Sequence, residues 1–290
     1  MVARKEKMKV SSEPHVEGEV SVFGSSGFVG SHFLKKSQFS TVGIPRDQRY
    51  PETNEILYLI GTNHNYNVYE NVFLDIDTNL KILVETLEQT RLKKPTAVFN
   101  YVSTWFVYGP TDIPYIESQC CKPNGFYSIT KYAGELLLRS YCETYSMKYR
   151  IIRLGNIIGP GDKKASMKKN AVQYMANRVF NGEDIELYEG GEVIRDFLHI
   201  DDAVRGIDLI LKEGALNEIY NLASGKGIKV GDLLSQFKTL VGSRSKLRSI
   251  KTPEFHNRVQ ARDSVLDISK VRALGFSVLN PITEKDLIES

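Results

Sequence analysis

Cysteine is scarce in this chain of 290 residues: there are three, Cys120, Cys121 and Cys142. An odd count, with two of them adjacent, implies no disulfide framework and fits a reducing, cytoplasmic compartment. The five histidines are scattered, and no Cys or His pair has zinc-ligand spacing, so no metal site is expected. No run approaches 18 apolar residues, so no membrane-spanning helix is expected. Neither sign of charge dominates, because 38 Lys and Arg against 35 Asp and Glu leave a net +3. That balance gives no case for a nucleic-acid partner, which calls for a concentrated basic stripe. Residues 1–18 carry Arg4, Lys5, Lys7 and Lys9 with no apolar segment after them, unlike a secretory signal, and read as a flexible tail. What is present is ordinary: 41% hydrophobic and 25% charged residues exclude a disordered chain, a collagen and a coiled coil. A chain this long buries about three quarters of its unfolded surface, as one large domain or two small ones.

Residues 19–23 alternate, with β-branched valines, and predict a strand. A glycine turn over 24–30 and a short helix over 31–37 follow. A second strand is expected over 41–46, with Pro45 marking its end, and a third over 55–60. Leu80, Leu83, Val84 and Leu87 stand at i, i+3, i+4 and i+7, an amphipathic helix that opens among Asp75, Asp77 and Thr78 and closes at Lys93-Lys94-Pro95. A buried strand over 97–102, a long helix from about 126 to 145 and a strand over 149–154 complete the alternation. Strands alternating with helices mean βαβ units and a parallel sheet. Only eight residues, Asp47 to Asn54, separate the second and third strands. A helical crossover needs about a dozen. The return path is roughly 20 Å and nine extended links reach about 30 Å, so a bare loop crosses the sheet. Beyond Gly159-Pro160-Gly161 the pattern loosens. A basic helical segment with Lys163, Lys164, Lys168 and Lys169 is expected, then a hairpin near Glu189-Gly190-Gly191-Glu192. A helix over 201–212 and a strand over 219–222 follow.

Gly24, Gly27 and Gly30 lie between the first strand and its helix, a turn that suits a dinucleotide. Gly24 permits the tight turn. Gly27 lets a pyrophosphate approach the backbone at the helix N-terminus, and Gly30 lets helix and strand pack closely. At the end of the second strand, an acidic residue reads a ribose 2′-hydroxyl and a cation reads a 2′-phosphate. Arg46 takes that place and favours NADP(H) over NAD(H). The alternative is that Asp47, one step later, is the reader.

Tyr127-Ser128-Ile129-Thr130-Lys131 sets a phenol and an ammonium at i and i+4 on one helix face. A lysine there lowers the phenol's pKa and suits the tyrosine for proton exchange. The pair follows a strand that runs into Tyr101-Val102-Ser103-Thr104-Trp105-Phe106-Val107-Tyr108-Gly109. With these pieces the chain resembles the extended short-chain dehydrogenases, specifically the nucleotide-sugar epimerase/dehydratase family. Arg153-Leu154-Gly155-Asn156-Ile157-Ile158-Gly159-Pro160 is similar to the family's post-strand loop. The segments Arg195-Asp196-Phe197-Leu198-His199-Ile200-Asp201-Asp202 and Tyr220-Asn221-Leu222-Ala223-Ser224-Gly225 are similar to two later signatures. The resemblance runs from about Val20 onward in the family's order.

That resemblance implies an α/β fold: a Rossmann-like doubly wound parallel sheet, here expected to lack the usual third strand, with a small C-terminal substrate cap. The dinucleotide domain would span 19–159, with 195–225 returning to it, and the cap 160–194 and 226–290. Tyr127 would be the general acid/base, Lys131 would hold the nicotinamide ribose, and Thr104 would bond the same sugar oxygen as Tyr127. Cofactor contacts would come from Gly24, Ser25, Ser26, Gly27, Phe28, Val29, Gly30, Arg46, Ile60, Gly61, Tyr127 and Lys131. Asn156 and Arg195 would hold the substrate's diphosphate; the alternative for Arg195 is an ion pair with Asp196 or Asp202. His199 reads as a packed core residue, and Asp201 and Asp202 as caps of the following helix. The chain departs from the family's 4,6-dehydratases, which carry an acidic pair after the threonine. Trp105 and Phe106 stand there and transfer no protons, which disfavours dehydration. Phe106 also stands where related epimerase-reductases keep a cysteine. Asp75 falls where the family often has a cofactor-contacting asparagine. The expected reaction is hydride exchange at carbon 4 of a nucleotide-diphosphate hexose. An epimerase is the first reading, an NADPH-dependent 4-keto reductase the second, a non-catalytic NADP-binding regulator the rival from another class, and a steroid or flavonoid reductase a further enzyme reading. A homodimer is expected through the helix carrying Leu136-Leu137-Leu138 and its neighbour over 77–94, since three consecutive leucines cover more than one helix face.

Overall fold

A computed structural model describes residues 18–162, 166–260, 263–282 and 286–287. The expected tail over 1–17 and Lys163 and Lys164 lie outside them. In chain order the elements are β1 (Glu19–Phe23), α1 (Phe28–Lys36), β2 (Ser40–Gly43), β3 (Glu55–Tyr58), α2 (Leu74–Ile76), a π-helical turn (Asp77–Lys81) and α3 (Ile82–Lys93). They continue with β4 (Val98–Thr104), α4 (Phe126–Tyr145), β5 (Lys148–Leu154), β6 (Asn156–Ile158), α5 (Ala171–Phe180), β7 (Ile185–Tyr188), β8 (Ile194–His199) and α6 (Ile200–Glu213). The last are β9 (Glu218–Leu222), β10 (Gly227–Lys229), α7 (Val230–Leu240), β11 (Leu247–Ile250), α8 (Glu254–Val259) and α9 (Ser269–Ala273).

The main sheet has six strands in the order β2-β1-β3-β4-β5-β9, all paired in parallel. Both faces are covered, as a parallel sheet requires. The strands divide their side chains at every second residue. Val20, Val22, Leu57, Val102 and Ile152 enter one core, shared with Phe33 of α1 and Val204 and Ile207 of α6. Phe23, Ile56, Tyr58, Phe99, Tyr101 and Ile151 enter the other, under Leu83 and Leu87 of α3 and Leu138 of α4. No strand or helix lies between β2 and β3, so the loop crosses bare, as the eight-residue count requires. Ser21 of β1 receives it, its Oγ accepting from the backbone N–H groups of Glu52 and Thr53, each at 3.0 Å.

Three local readings need correction. β7 and β8 do not form a hairpin. β7 pairs in parallel with β11, while β8 pairs with β10 and β6. The Gly-Gly segment is a turn, but the chain leaves it toward different partners. The described part of the basic segment is no helix either: Ser166 and Lys169 form an isolated bridge, and α5 starts only at Ala171. Finally, His199 caps α6, its Nδ1 accepting from Asp201 N at 3.1 Å. Asp202 is used elsewhere, accepting from Leu279 N at 3.0 Å and Asn280 N at 2.9 Å, and Asp201 meets Lys36. A third apolar cluster, with Ile158, Val172, Val179, Leu187, Phe197 and Leu234, fills the space among α5, α7, β7 and β8. Among the described residues, no helix is long and apolar enough to cross a membrane.

Candidate active site

Parallel strands place their following loops at one sheet edge, where open α/β sheets bind ligands. Here the loops after β1, β3, β4 and β5 line one side of a cleft of about 1130 Å³, and residues from β7, β8 and α8 line the other. Its first feature is the glycine turn. Gly24 adopts φ +79°, and a Cβ on Gly30 would sit 2.4 Å from Gly24 O, so both positions require glycine. Gly27 is the N-cap of α1 and brings no side-chain cap, which leaves the first-turn N–H groups facing the cleft for a ligand to satisfy.

β4 ends at Thr104, and α4 begins with Phe126, so Thr104, Tyr127 and Lys131 meet in the cleft wall. Ser128 secures the start of α4, its Oγ accepting from Gly125 N at 2.9 Å. Tyr127 and Lys131 are both buried. Burial pushes the Tyr127 phenol up to about 12, opposed by a hydrogen bond with Thr104 and reinforced by Asp75. Burial pushes the Lys131 ammonium down to about 7, opposed by Glu135. The lysine Nζ donates to Val102 O at 2.8 Å and lies 4.2 Å from the Tyr101 ring centre. The expected lowering of the phenol by the lysine is therefore not what this packing produces: the ammonium is directed at Val102 and Tyr101.

Other expected site residues divide. Ser26, Gly61, Asn156 and Arg195 line the cleft, whereas Ser25, Ile60 and Arg46 are not among its wall residues. The Ser25 side chain packs near Gly43, Ile60 backs onto the core beneath α3 and α4, and Arg46 is exposed beyond β2. Asn156 is engaged twice, accepting from Trp105 Nε1 at 3.2 Å and donating to Asp196 O at 3.0 Å. Arg195 lies over Trp105, its guanidinium carbon 5.2 Å from the ring centre. Burial lowers its pKa to about 10, opposed by Asp263, so it is a cation at neutral pH. It does not pair with either nearby aspartate. Asp196 accepts from Ser224 and Gly225, and Asp202 meets Arg205.

Two groups escaped the sequence reading. The π-helical turn adds a wide turn ahead of α3 and points Asn79 at the site. Asn79 donates to Thr62 Oγ1 at 2.8 Å and to Thr130 Oγ1 at 2.9 Å, and accepts from Thr62 N at 2.8 Å. Asp75 is buried and accepts from Thr62 Oγ1 and Asn67, so it works inside this web. The π turn's only sequence signal is Asn79 within the amphipathic segment. Second, Tyr66 Oη meets His256 Nδ1 at 2.7 Å and joins the loop after β3 to α8. Nothing local announces a contact spanning so much sequence.

A nicotinamide dinucleotide fits these groups. The uncapped start of α1 offers N–H groups to a pyrophosphate. Ser103 Oγ, buried at the other end of the cleft, has no hydrogen-bond partner and would gain one. Among the described residues, no cluster of His, Cys, Asp and Glu could hold a metal.

Comparison with known proteins gives the same picture. The family model described as the NAD dependent epimerase/dehydratase family matches residues 48–223. The low-salt glycan biosynthesis protein Agl12 of Haloferax volcanii is 26% identical, the match covering 89% of this chain and 93% of that protein. The UDP-glucose 4-epimerase of Thermotoga maritima, solved with UDP-glucose, superposes with a TM-score of 0.80 at 22% identity, covering 93% of this chain and 96% of the other. RMD of Pseudomonas aeruginosa, solved with NADPH, gives 0.79 at 22% identity, covering 94% and 97%.

Proposed function

Because the chain belongs to the NAD-dependent epimerase/dehydratase family, we propose that it exchanges hydride at carbon 4 of a nucleotide-diphosphate hexose, first as an epimerase. The observation that carries this is the meeting of Thr104, Tyr127 and Lys131 in one cleft that also holds the glycine turn. Hydride exchange is the chemistry a nicotinamide dinucleotide supplies when bound there. The chain's own part is proton handling and positioning. Tyr127 passes a proton to or from the carbon-4 oxygen while Thr104 bonds the same oxygen. Lys131 places a cation beside them. Arg195 offers a planar fork to the diphosphate. Trp105 and Phe106 supply no proton-transferring group, which argues against dehydration.

A second reading, the NADPH-dependent 4-keto reductase, is favoured by one feature. With its pKa at about 12, Tyr127 is a phenol at neutral pH and is set to donate a proton, the direction a reduction needs. The deciding experiment offers the protein nucleotide sugars and their 4-keto forms. A changed sugar with no net cofactor turnover supports the epimerase, and net NADPH oxidation supports the reductase. No reaction with any member overturns both. NADP(H) is the preferred cofactor in either reading, on the strength of Arg46. We place the protein in the cytoplasm, which suits its three unpaired thiols. We also propose a homodimer through α3 and α4. Leu138 is buried in the core while Leu136, Leu137, Val84 and Leu92 are exposed on these two helices, so an apolar face is left for a partner. Light scattering should give a dimer at tens of micromolar, and a monomer would refute it.

A further inference from the structure

The wall between the two ends of the substrate cleft is aromatic, and this says which sugar it takes; the inference rests on the nucleotide-sugar reading above. Arg195 marks the diphosphate end and Tyr127 the carbon-4 end. Between them the side chains touch in sequence. The Arg195 guanidinium lies 5.2 Å from the Trp105 ring centre. Trp105 and Phe106 stack with centroids 4.0 Å apart and an interplanar angle of 28°. Phe106 meets Tyr127 edge to face at 5.7 Å. The only polar atom on this stretch of wall, Trp105 Nε1, already donates to Asn156 Oδ1 at 3.2 Å. Neither ring has a donor or acceptor left for a substrate hydroxyl.

A pyranose held through carbon 1 at Arg195 and through its carbon-4 oxygen at Tyr127 must lay one long edge along these rings. One edge carries the hydroxyls of carbons 2 and 3. The other carries the ring oxygen and whatever is attached to carbon 5. Burying hydroxyls against a surface that cannot bond them is unfavourable, so the hydroxylated edge turns away and the carbon-5 edge faces the rings. We propose that Trp105 and Phe106 form the carbon-5 subsite and select sugars with hydrogen or methyl there. The preferred substrates are then nucleotide-linked 6-deoxyhexoses or pentoses. A hexose keeping its 6-hydroxyl is second, and a uronic acid, which would set a carboxylate against two rings, is rejected.

The test uses the intact protein and ligands that differ only at carbon 5: xylose, 6-deoxyglucose, glucose and glucuronate, each linked to UDP and, in parallel, to dTDP and GDP. Affinity is measured by calorimetry with the dinucleotide present, and turnover by sugar analysis. On the nucleotide that binds best, 6-deoxyglucose and xylose should exceed glucose by on the order of tenfold and glucuronate by a hundredfold or more. Phe106→Ser, a change at a half-buried wall residue, should narrow the gap between 6-deoxyglucose and glucose severalfold. The wild-type ranking decides alone if that variant does not fold. Equal or tighter binding of glucose or glucuronate overturns the proposal while leaving the nucleotide-sugar reading standing. Failure of every sugar on every nucleotide overturns both.

Discussion

Replacing Lys131 with methionine should stabilise the protein and disable it. The ammonium is buried at 4% exposure, and burial lowers its pKa from 10.5 to about 7. At roughly 1.4 kcal/mol per pKa unit, keeping that charge in the fold costs about 5 kcal/mol at pH 7 or below. Two contacts offset part of it. The charged hydrogen bond to Val102 O is worth about 2 kcal/mol and the ring contact with Tyr101 about 1 kcal/mol. Methionine loses both contacts and the penalty together, and its thioether packs well on Tyr101. The net gain is about 2 kcal/mol. Unfolding entropy near 2.1 cal/mol/K per residue turns this into a rise of roughly 3 °C in Tm for a chain of this length. The pH dependence identifies the cause. The folded pKa is lowered, so the penalty is complete below pH 7. As pH rises from about 7 toward 10.5, the folded protein sheds this proton while the unfolded chain keeps it, and the wild type gains stability. The variant's advantage should therefore shrink above pH 7 and reverse near pH 9. Calorimetric or dichroism melts of both proteins at pH 6.5 and 9 read this directly. A variant less stable at pH 6.5, or a gap that does not change with pH, refutes the reasoning. Turnover and cofactor affinity should both fall in the variant at every pH.

Tyr127→Phe should fold normally, since it removes one hydroxyl and little volume, and should lose about a hundred- to ten-thousand-fold in turnover on an authentic substrate. Near-wild-type turnover would remove the tyrosine from the mechanism. NADP(H) should bind on the order of ten- to a hundredfold more tightly than NAD(H), and Arg46→Ala should abolish most of that preference while sparing NAD(H). Calorimetry showing equal or tighter NAD(H) binding by the wild type makes Asp47 the reader. Asp208 accepts from Ser37 Oγ at 2.6 Å and Gln38 N at 2.9 Å, yet burial raises its pKa from 3.8 to about 6. Its folded pKa is raised, so its contribution is most favourable below pH 3.8 and is lost as pH climbs through 6, by up to about 3 kcal/mol. Melts of the wild type and Asp208→Asn across pH 4 to 7 should show the wild type losing ground to the variant as pH rises, and parallel curves would exclude this titration.

Where the chain's local pattern fixes geometry, sequence reading reached it. The turn at Gly24 and the spacing of Tyr127 and Lys131 depend on nearest neighbours. The bare loop over 47–54 depends only on chain length. What escaped depends on contacts between distant segments. The Gly190-Gly191 turn looks like a hairpin because a turn does not say where its strands go. Leu247–Ile250 takes the place beside β7 that the adjacent strand was expected to fill. Asp201 and Asp202 look like caps because they precede a helix. His199 was free to take that role because Lys36 and residues 279–280 claimed the carboxylates. The same logic governs the site. The spacing put Tyr127 and Lys131 on one helix face, and the fold did the same. Their ionisation, however, is set by groups from other elements: Val102 and Tyr101 under the lysine, Thr104 and Asp75 around the phenol. Asn79 reaches the site only because five residues of its helix run as a π turn. A residue's presence in the cleft can thus be read from spacing, while its charge state is decided by residues that spacing does not reveal.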